Sequence, residues 1–531
     1  MSEEGLYEKV LAAAAGAPLT PPKAPRPSAS VILWRRQAGD LQVFWVRRSD
    51  ALAFMGGWYA FPGGGISRRD AEITVVGKPA ALPSGISDGQ EADPLLSDGV
   101  HRTPPTLVPG LLVGALRELF EETGLLLTGD ALPTHDALAE ARRRLLAEEA
   151  DFGPLLAELG VSLSVDELTF AGRWLTPPLA PRRFDNRFFL LPWPADRLQQ
   201  PQVLPGELDS GEWVVPEEAA ARWSWGDVVT APPILHALRV LAEDGPEAGL
   251  PRLLDPREAN LGPFRRIEFR PGVILLPLET ATLPPANRTN AYLLGDGERV
   301  LVDPGSTLPA EQRRLEEALA ALPADSLKAI WLTHHHPDHV GGVAAARQAL
   351  GVPVLAHAAT AQRLAARGIP VDGELQAGQR VVLDGPRPFP IRVLHTPGHA
   401  RGHLCFYEEN GGSLIAGDMV AGIGTIVIDP PEGDMDDYLA SLESLAELAP
   451  RVLFPAHGPP IRDAVGKLRH YIDHRRWREE KVLAAWQNGV RQPAELLPVV
   501  YDDAPRQAWP LAERQIVAHL ESLERAGRLV D

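Results

Sequence analysis

Apolar positions recur along the chain with two different periods, and these predict strands in some segments and helices in others. Strands are predicted at 29–34 and 41–46, because β-branched and aromatic residues are frequent there and a turn at 38–40 separates the two runs. Leucines repeat at helical spacing over 112–126, with Gly124 as a plausible C-cap. The first part of the chain is therefore predicted to open with a β-hairpin and to contain a long amphipathic helix.

Strand-like and helix-like runs alternate in the second half of the chain. Strands are predicted at 273–276, 292–294, 300–302, 329–332 and 354–356, and helices at 310–322 and 343–350. This alternation is typical of an α/β sandwich. From about Trp477 the pattern is mostly helical, with segments at 481–486 and 512–525, which predicts a small winged-helix-like appendage.

Two stretches rich in Gly, Pro and acidic residues interrupt these patterns. Residues 77–109 lack a sustained period and predict a long surface loop, and 242–262 marks a domain boundary. A chain of 531 residues is also too long for one ordinary core. The predicted organisation is an N-terminal tail at 1–27, a first domain at 28–243 with an insertion at about 71–110, a linker at 244–264, a second domain at 265–475 and a helical domain at 476–531.

Composition limits the compartment and the partners. A hydrophobic content of 45% and a charged content of 23% are typical of a soluble globular protein. The acidic N-terminus, the absence of a long apolar run and a single cysteine, Cys405, predict a cytoplasmic protein rather than a secreted or membrane protein. A net charge of −18 disfavours nucleic acid as a partner without excluding it, and the sequence does not indicate the oligomeric state.

Four residues of metal-binding types directly follow the strand predicted at 329–332. His334, His336, Asp338 and His339 fall within six positions. Zinc prefers imidazole ligands, and further candidates downstream favour a metal site over a histidine-rich loop held by hydrogen bonds alone. Those downstream candidates are His399, Asp418 and His457.

The His-x-His-x-Asp-His spacing resembles that of the metallo-β-lactamase superfamily. The resemblance implies an αββα sandwich that holds two metal ions, assigned as zinc, with a hydroxide between them as nucleophile. It assigns His334, His336 and His399 to the first metal, Asp338, His339 and His457 to the second, and Asp418 as the bridge. Asp338 would also orient the nucleophile, and Asp303 is either a ligand-orienting residue or a turn aspartate. Supporting or structural roles are expected for His335, His395 and His403.

From Asn290 onwards the chain resembles the beta-lactamase-like protein 2 family, which includes an endoribonuclease. Residues 437–439, 441–442 and 471–475 carry this resemblance. Glyoxalase II, a thioesterase, shares the same ligands. The insertion of the nucleic-acid-processing β-CASP branch is missing, since only 18 residues separate His399 from Asp418. Hydrolysis of an ester or thioester of a small metabolite is thus the first hypothesis, cleavage of single-stranded RNA is the alternative, and lactam hydrolysis is a distant third.

A cluster of carboxylates lies on the helix predicted at 112–126. Glu118, Glu121 and Glu122 are three and four residues apart, so they project from one face. Such a cluster is either a solvated acidic surface or a site for a hard cation such as Mg²⁺ or Mn²⁺.

The run from Arg117 to Gly124 resembles the second half of the Nudix box. Upstream, Phe61-Pro62-Gly63-Gly64 resembles the first half of that box, with Asp70 where the family usually has Glu. The two halves are interrupted, since 46 residues separate Asp70 from Arg117. The peroxisomal coenzyme A diphosphatase branch tolerates such an insertion. The resemblance implies an α/β/α sandwich in which Arg117 pairs with Asp70, the three glutamates bind metal, and Glu118 or a remote carboxylate is the base.

The sequence therefore predicts an α/β multidomain hydrolase in which a Nudix domain is fused to a metallo-β-lactamase domain. The Nudix half would cleave a nucleoside-diphosphate-X or coenzyme A-like compound. Acyl-coenzyme A would suit both halves as a shared small-molecule substrate. The alternative for the first half is a non-catalytic sensor that binds a ligand and regulates the metallohydrolase.

Overall fold

The computed structural model describes residues 24–52, 55–79, 108–177, 180 and 182–529. The chain divides into two compact units, Lys23–Arg270 and Pro271–Asp531. Most of the predicted insertion, residues 80–107, and most of the predicted N-terminal tail, residues 1–23, lie outside the described residues. In the part of the chain that is described, no helix is both long enough and apolar enough to cross a bilayer.

The first unit contains short and long strands together with several helices. Its strands are β1 (Arg26–Gln37), β2 (Asp40–Arg48), β3 (Tyr59–Ala60), β4 (Gly63–Gly65), β5 (Val75–Val76), β6 (Leu163–Ser164), β7 (Thr169–Leu175), β8 (Phe184–Pro192), β9 (Leu208–Val214), β10 (Asn260–Leu261), β11 (Phe264–Arg265) and β12 (Ile267–Arg270). Its helices are α1 (Val108–Thr123), α2 (His135–Leu146), α3 (Phe152–Leu159), α4 (Pro216–Ser224), α5 (Pro232–Ala248) and α6 (Leu250–Leu254).

A mixed sheet forms the centre of the first unit, in the order β3-β2-β1-β8-β7, with β4 also paired to β1 and β9 to β2. Successive residues of a strand point to opposite faces, and β1 buries both faces. Val31 lies in one buried cluster with Leu116 of α1, whereas Ile32 lies in a second cluster with Leu238 of α5. Helices therefore cover the sheet on both sides, which confirms the predicted α/β/α sandwich.

The stretch predicted as a linker at 244–264 is folded. It contains the end of α5, all of α6 and the β10-β11 hairpin. Gly245 does interrupt the helix, with φ of +73°, but Pro246 is buried and Leu253 packs in the core of the first unit. Gly and Pro here mark a kink between two helices, and the interpretation as a linker failed because the apolar residues after the kink reach the core.

The second unit begins at Pro271 and contains the remaining elements. Its strands are β13 (Val273–Glu279), β14 (Arg288–Leu294), β15 (Arg299–Val302), β16 (Leu327–Trp331), β17 (Val354–Ala356), β18 (Gly373–Glu374), β19 (Arg380–Leu383), β20 (Phe389–His395), β21 (Leu404–Glu408), β22 (Ser413–Gly417) and β23 (Val452–Pro455). Its helices are α7 (Pro309–Ala320), α8 (Pro337–Val340), α9 (Val343–Leu350), α10 (Ala358–Ala365), α11 (Met435–Leu448), α12 (Ala464–Gln487), α13 (Pro493–Val500) and α14 (Trp509–Arg525).

Two sheets pack face to face in the second unit. One contains β13 to β18 in sequence order and the other contains β19 to β23 in sequence order. Aromatic side chains join them, since the ring centroids of Trp331 and Phe406 are 5.1 Å apart and those of Tyr292 and Phe454 are 5.9 Å apart. The neighbour of Phe406, Cys405, points the other way into a cluster with α11 and α12. These layers are those of the predicted αββα sandwich.

Helices α12, α13 and α14 form the C-terminal part of the second unit. Their buried side chains make a separate small core that includes Val482, Leu496 and Ile516. No strand follows β23 in the described chain, which ends at Leu529. Helix α12 runs without a break through the boundary predicted at 475–476, because its residues contribute to this core and to the sandwich core.

Candidate functional site

The predicted metal ligands all lie where strands of the second unit end. His334 and His336 follow β16, and Asp338 and His339 lie on the single turn of α8. The other three ligands follow strands of the second sheet: His399 after β20, Asp418 after β22 and His457 after β23. Since β16 lies in the first sheet, the sandwich brings both sheets' strand ends to one site, and all seven residues are buried.

Three histidines form the first group of ligand atoms. Nδ1 of His336 lies 2.9 Å from Nε2 of His334 and 2.9 Å from Nε2 of His399. These three nitrogens are within 4.8 Å of one another and could hold one metal ion. This is the set that the sequence assigned to the first metal.

Asp338, His339 and His457 form the second group. Oδ2 of Asp338 lies 3.5 Å from Nε2 of His457 and 3.9 Å from Nε2 of His339. The other carboxylate oxygen of Asp338, Oδ1, makes no hydrogen bond with the described residues, whereas Oδ2 accepts one from the hydroxyl of Thr289 at 3.2 Å. The three side chains are the second set named from the sequence.

Asp418 lies between the two groups and turns one oxygen to each. Its Oδ1 is 3.4 Å from Nε2 of His457 and 3.6 Å from Nε2 of His339. Its Oδ2 is 3.5 Å from Nε2 of His399. A tetrahedral zinc ion with ligand distances of about 2.1 Å places its ligand atoms roughly 3.4 Å apart. The spacing around Asp418 suits a carboxylate that bridges two cations.

Asp303 contacts the ring nitrogen of His339 that faces away from the other ligands. Oδ2 of Asp303 lies 2.8 Å from Nδ1 of His339, and its two oxygens also accept hydrogen bonds from the backbone N–H and the hydroxyl of Thr333, at 2.9 and 2.6 Å. The left-handed backbone of Asp303, with φ of +50°, directs the carboxylate into the site. Of the two roles considered for Asp303, this geometry is that of a ligand-orienting residue.

Backbone carbonyls orient two further histidines. Nδ1 of His399 donates to the carbonyl of Val427 at 2.7 Å, and Nδ1 of His457 donates to the carbonyl of Arg288 at 3.0 Å. Because a carbonyl only accepts, each Nδ1 carries a proton, and Nε2 is the ring nitrogen that is directed to the interior of the site and available to a metal. Backbone carbonyls have no signature in a sequence, so these two supports were not predicted.

The pKa shifts differ between the two groups of ligands. Burial, together with neighbouring histidines, holds the pKa of His334 and of His336 well below its usual value, so both rings are neutral. Burial lowers the pKa of His339, but surrounding carboxylates, Asp338 first, outweigh burial and raise that pKa well above its usual value. The second group therefore carries a concentration of negative charge that a cation would neutralise.

Four buried atoms of the site make no hydrogen bond within the described part of the chain. They are Oδ1 of Asp338, Nε2 of His339, Oδ1 of Asp418 and Nε2 of His457. A buried polar atom without a partner costs about 1–3 kcal/mol, and metal coordination would remove that cost. The donor set of imidazole and carboxylate is suited to divalent metal ions, zinc among them. The residues therefore fit the predicted pair of metals.

Three further histidines, for which the sequence predicts supporting or structural roles, lie in the same region. His395 lies at the end of β20, where its Nε2 contacts the carbonyl of Arg401 at 2.8 Å. The carbonyl of His335 accepts a hydrogen bond from Arg367 at 2.8 Å. His403 is buried beside the site and accepts a hydrogen bond from the backbone of Asp418. These three histidines belong to none of the ligand groups found in the described residues.

In the first unit, the structure brings Asp70 and Arg117 together across the insertion. Nε and Nη2 of Arg117 donate to the two carboxylate oxygens of Asp70, at 2.9 and 3.1 Å. Nη1 of Arg117 donates to Oε1 of Glu118 and Oε1 of Glu121, at 2.9 Å each. The side chain of Asp70 is almost completely buried, and the pair joins the 3-10 turn at Arg68–Glu72 to α1.

The loop before this turn lies directly against the carboxylates of α1. The backbone N–H of Gly63 donates to Oε2 of Glu122 at 3.0 Å. A Cβ atom at Gly64 would lie only 2.4 Å from Oε2 of Glu118, so any side chain here would displace the carboxylate of Glu118. The two segments that resemble the halves of the Nudix box are therefore in contact.

Burial and mutual repulsion shift the titration of these glutamates. Burial raises the pKa of Glu118 to about 7, and burial followed by repulsion from Glu118 raises the pKa of Glu122 well above its usual value. The carboxylate of Glu207, in the loop before β9, contributes to both shifts and was not predicted from the sequence. Among the described residues, only the second unit brings three ligand atoms within 4.8 Å of one another, so a cation at the glutamates would need ligands from water or substrate as well.

Comparisons with known families agree with this division of the chain. The Metallo-beta-lactamase superfamily matches residues 284–457, the NUDT19 Nudix domain matches residues 8–241, and the Beta-lactamase associated winged helix domain matches residues 493–531. The chain is 34% identical over 256 residues to the Beta-lactamase-like protein 2 homolog of Drosophila melanogaster, an alignment that covers 45% of this chain and 84% of that protein.

Further relatives and solved structures are similar to one half of the chain or the other. The Lactamase-like protein vrtG of Penicillium aethiopicum is 32% identical, over 51% of this chain and 81% of its own. A metallo-beta-lactamase family protein of Thermus thermophilus is 30% identical, covers 49% of this chain and 95% of its own, and has a TM-score of 0.40. A NUDIX hydrolase of Alicyclobacillus acidocaldarius is 29% identical, covers 41% of this chain and 92% of its own, and has a TM-score of 0.34.

The site and these relatives define a hydrolase with a histidine and aspartate site for divalent metal. The chain belongs to the metallo-beta-lactamase superfamily. Its first unit is a Nudix domain of the NUDT19 type, and a winged helix domain of the kind associated with beta-lactamases ends the chain. The fusion predicted from the sequence is thereby confirmed.

Proposed function

We propose that the second unit hydrolyses an ester or thioester of a small metabolite and that it does so with two divalent cations, zinc in the first instance. The observation that carries this proposal is the pair of ligand groups with Asp418 between them. When bound, such cations supply hydroxide at neutral pH and polarise the oxygen under attack.

The protein side chains have separate tasks in this reaction. His334, His336 and His399 hold the first cation, and Asp338, His339 and His457 hold the second. Asp418 fixes the separation of the two groups by contributing one oxygen to each. Oδ1 of Asp338, which is free of hydrogen bonds to the described residues, orients the attacking water and accepts its proton. Asp303 keeps the ring of His339 in the orientation that directs Nε2 inward.

The test compares two substrate classes on one preparation. Zinc-loaded protein is incubated with acyl-coenzyme A thioesters and, in parallel, with single-stranded RNA, and thiol release and RNA cleavage are measured. The double variant His334→Ala/His336→Ala removes two ligands, and His470→Ala changes an exposed histidine on α12 as the matched control. Thiol release that the double variant loses and the control keeps is expected. RNA cleavage without thiol release would overturn the ester or thioester assignment.

We also propose that the first unit is a Nudix diphosphatase that uses Mg²⁺ or Mn²⁺ on a nucleoside-diphosphate-X or coenzyme A-like compound. This rests on the contact between Asp70 and Arg117 and on the carboxylates of α1. Glu118, Glu121 and Glu122 would share the cation with diphosphate oxygens. The base would be Glu118 or a remote carboxylate, for which Glu207 is the candidate because it acts electrostatically on Glu118 and Glu122.

Hydrolysis of coenzyme A and of ADP-ribose in the presence of Mg²⁺ tests the second proposal. Glu122→Gln is expected to lower the rate by a factor on the order of 100 or more, whereas Glu140→Gln, on the exposed face of α2, should leave it unchanged. Binding of either compound without any hydrolysis by the wild-type protein would contradict catalysis and favour a sensor role for this unit.

A further inference from the structure

The carbonyl that orients His399 belongs to a segment with no regular secondary structure. Residues 418–434 connect β22 to α11 and form neither helix nor strand. Within them, the carbonyl of Val427 accepts the hydrogen bond from Nδ1 of His399 at 2.7 Å. Because no ladder of backbone hydrogen bonds fixes this carbonyl, its position depends on side chains that hold the segment 426–430 from outside.

Helix α12 provides the first of these contacts. Arg475 donates through Nη2 to the carbonyl of Ile426, the residue before Val427. Its other terminal nitrogen donates to Oε1 of Gln515 on α14. Arg475 is only 2% exposed, so its guanidinium is held between the 426–430 segment and the C-terminal helices rather than by solvent.

Helix α14 provides the remaining contacts. Arg514 donates from Nε to Oδ1 of Asp429 at 2.5 Å and from Nη2 to the carbonyl of Pro430. The side chain of Val427 packs against Leu511, one turn earlier on α14. Asp429 is 6% exposed, so the pairing with a guanidinium compensates for the burial of its carboxylate. The C-terminal helices therefore contact the segment on both sides of the carbonyl that His399 uses.

The second ligand group does not depend on these helices in the same way. The outer nitrogen of His339 contacts Asp303, and that of His457 contacts the carbonyl of Arg288. Asp303 follows β15 and Arg288 begins β14, so both supports belong to the first sheet. Any displacement of 426–430 would consequently act on His399 and leave His339 and His457 in place.

We propose that Arg514 is a positioning residue of the metal centre, through which the C-terminal helical domain sets the affinity for one of the two cations. Arg514 fixes the 426–430 segment, the segment fixes the carbonyl of Val427, and that carbonyl fixes the ring of His399. The inference rests on the proposed dinuclear site and adds that the affinities of its two halves are separately controlled. The C-terminal domain is thus a part of the metal site and not only an appendage for partners or substrate.

The experiment measures zinc binding by the full-length chain and does not depend on activity. Metal-free wild-type protein and the variant Arg514→Gln are titrated with zinc against a chromophoric chelator, and bound cobalt is followed by its visible absorption. Wild-type protein is expected to bind two ions. In Arg514→Gln one affinity should fall by about 10-fold to 100-fold, the range found when supports behind a metal ligand are removed, while the other stays the same.

Two further variants separate positioning from general destabilisation. Arg528→Gln removes the contacts of the residues after α14 with Glu479 and Glu480 on α12 and does not involve the 426–430 segment, so both affinities should stay at the wild-type values. Arg514→Lys keeps the charge but not the two-point contact, and a smaller loss at the same single site is expected. If Arg514→Gln does not fold, Asp429→Asn weakens the same contact from the other side and must show the same selective loss.

The possible outcomes are distinguishable. The positioning role is overturned if a folded Arg514 variant keeps both zinc affinities or loses both equally. The dinuclear site itself would remain in either case. A wild-type chain that binds fewer than two ions overturns the dinuclear site itself and the inference with it.

Discussion

The backbone N–H of Asp418 donates a hydrogen bond to Nε2 of His403, at 3.1 Å. An amide can only donate, so Nε2 is the acceptor and the proton of this neutral ring is on Nδ1. That nitrogen lies 2.9 Å from the hydroxyl of Thr396. Burial holds the pKa of His403 well below its usual value, which agrees with a neutral ring. A histidine that belongs to neither ligand group therefore holds the backbone of Asp418, whose carboxylate lies between the two groups.

Replacement of His403 should weaken the binding of both metal ions, whereas replacement of Arg514 should weaken the binding of one. His403→Ala leaves the buried N–H of Asp418 without an acceptor, at a cost of about 1–3 kcal/mol, and Asp418 contributes an oxygen to each group. We expect both zinc affinities to fall by about tenfold or more in the chelator titration. His403→Gln, which retains an acceptor, should recover part of each. Loss of a single metal would be inconsistent with this role of the hydrogen bond.

Asp303 is expected to control the second cation. In Asp303→Asn the group facing Nδ1 of His339 loses its charge, and we predict that one of the two zinc affinities decreases by about 10-fold to 100-fold in the chelator titration. Asp325→Asn is the matched control, because Asp325 also has a positive φ, of +58°, but is exposed and contacts none of the ligands. Equal behaviour of the two variants would assign Asp303 to the turn alone.

Stability of the metal-free first unit should depend on pH through Glu118. Its pKa is raised from 4.5 to about 7, so the folded chain keeps this proton between those values while the unfolded chain has released it. The folded state binds more protons in this window, and its stability therefore falls as the pH rises from about 5 to about 7. Bound Mg²⁺ favours the ionised carboxylate and should reverse the trend.

Hydrogen exchange of α1, corrected for the intrinsic pH dependence, provides the measurement. Protection of the peptide 108–123 should decrease towards pH 7 without Mg²⁺ and recover when Mg²⁺ is added. Glu118→Gln should reduce the slope of the pH profile and leave the part that comes from Glu122, whose pKa is also raised, whereas Glu140→Gln should reproduce the wild-type profile. A wild-type profile that rises with pH in the absence of metal would show that the sign is wrong.

Cys405 should report on the integrity of the metal centre. It is the one cysteine in the chain, it is fully buried, and burial raises the pKa of its thiol to about 12. We therefore expect no alkylation by iodoacetamide at pH 8 in the folded, metal-loaded protein. Its thiol also accepts a hydrogen bond from Thr396, which contacts His403. Chelation of the metals should raise the labelling rate about tenfold or more, and added zinc should restore protection; rapid labelling of loaded protein would contradict this.

The candidate metal ligands could be recognised in the sequence because each is a side chain of distinctive type in a segment that follows a strand. His334 and His457 illustrate this, since a β-strand ends within three residues before each. The supports behind them could not be predicted in the same way. Val427 acts through a carbonyl that every residue possesses, and Arg514 is distinguished from other arginines only by the fold that brings α14 to the 426–430 segment.

In the first unit, the sequence predicted a contact that a known motif contains and missed contacts that depend on tertiary packing. The resemblance to the two halves of the Nudix box implies the pairing of Asp70 with Arg117, and the two side chains meet despite the 46 residues between them. Glu207 lies far from the carboxylates in sequence and carries no motif, so only the fold shows its influence on Glu118. The Gly and Pro residues near Gly245 predict a domain boundary, but the residues beyond the kink are buried, and that burial is a property of the tertiary structure.

Helix α12 supplies Leu468 and Ile472 to the core of the sandwich and Val482 and Leu483 to the core of the C-terminal helices. Its 24 residues extend over about 36 Å as one uninterrupted rod. A recombination event that exchanged only the last helices would have its junction inside α12. The buried residues of one half of α12 would then lose the core against which they pack. The sandwich and the C-terminal helices are therefore expected to be inherited as one unit. A chimaera that keeps both cores intact should place its junction before Ala464, where α12 begins, rather than after it.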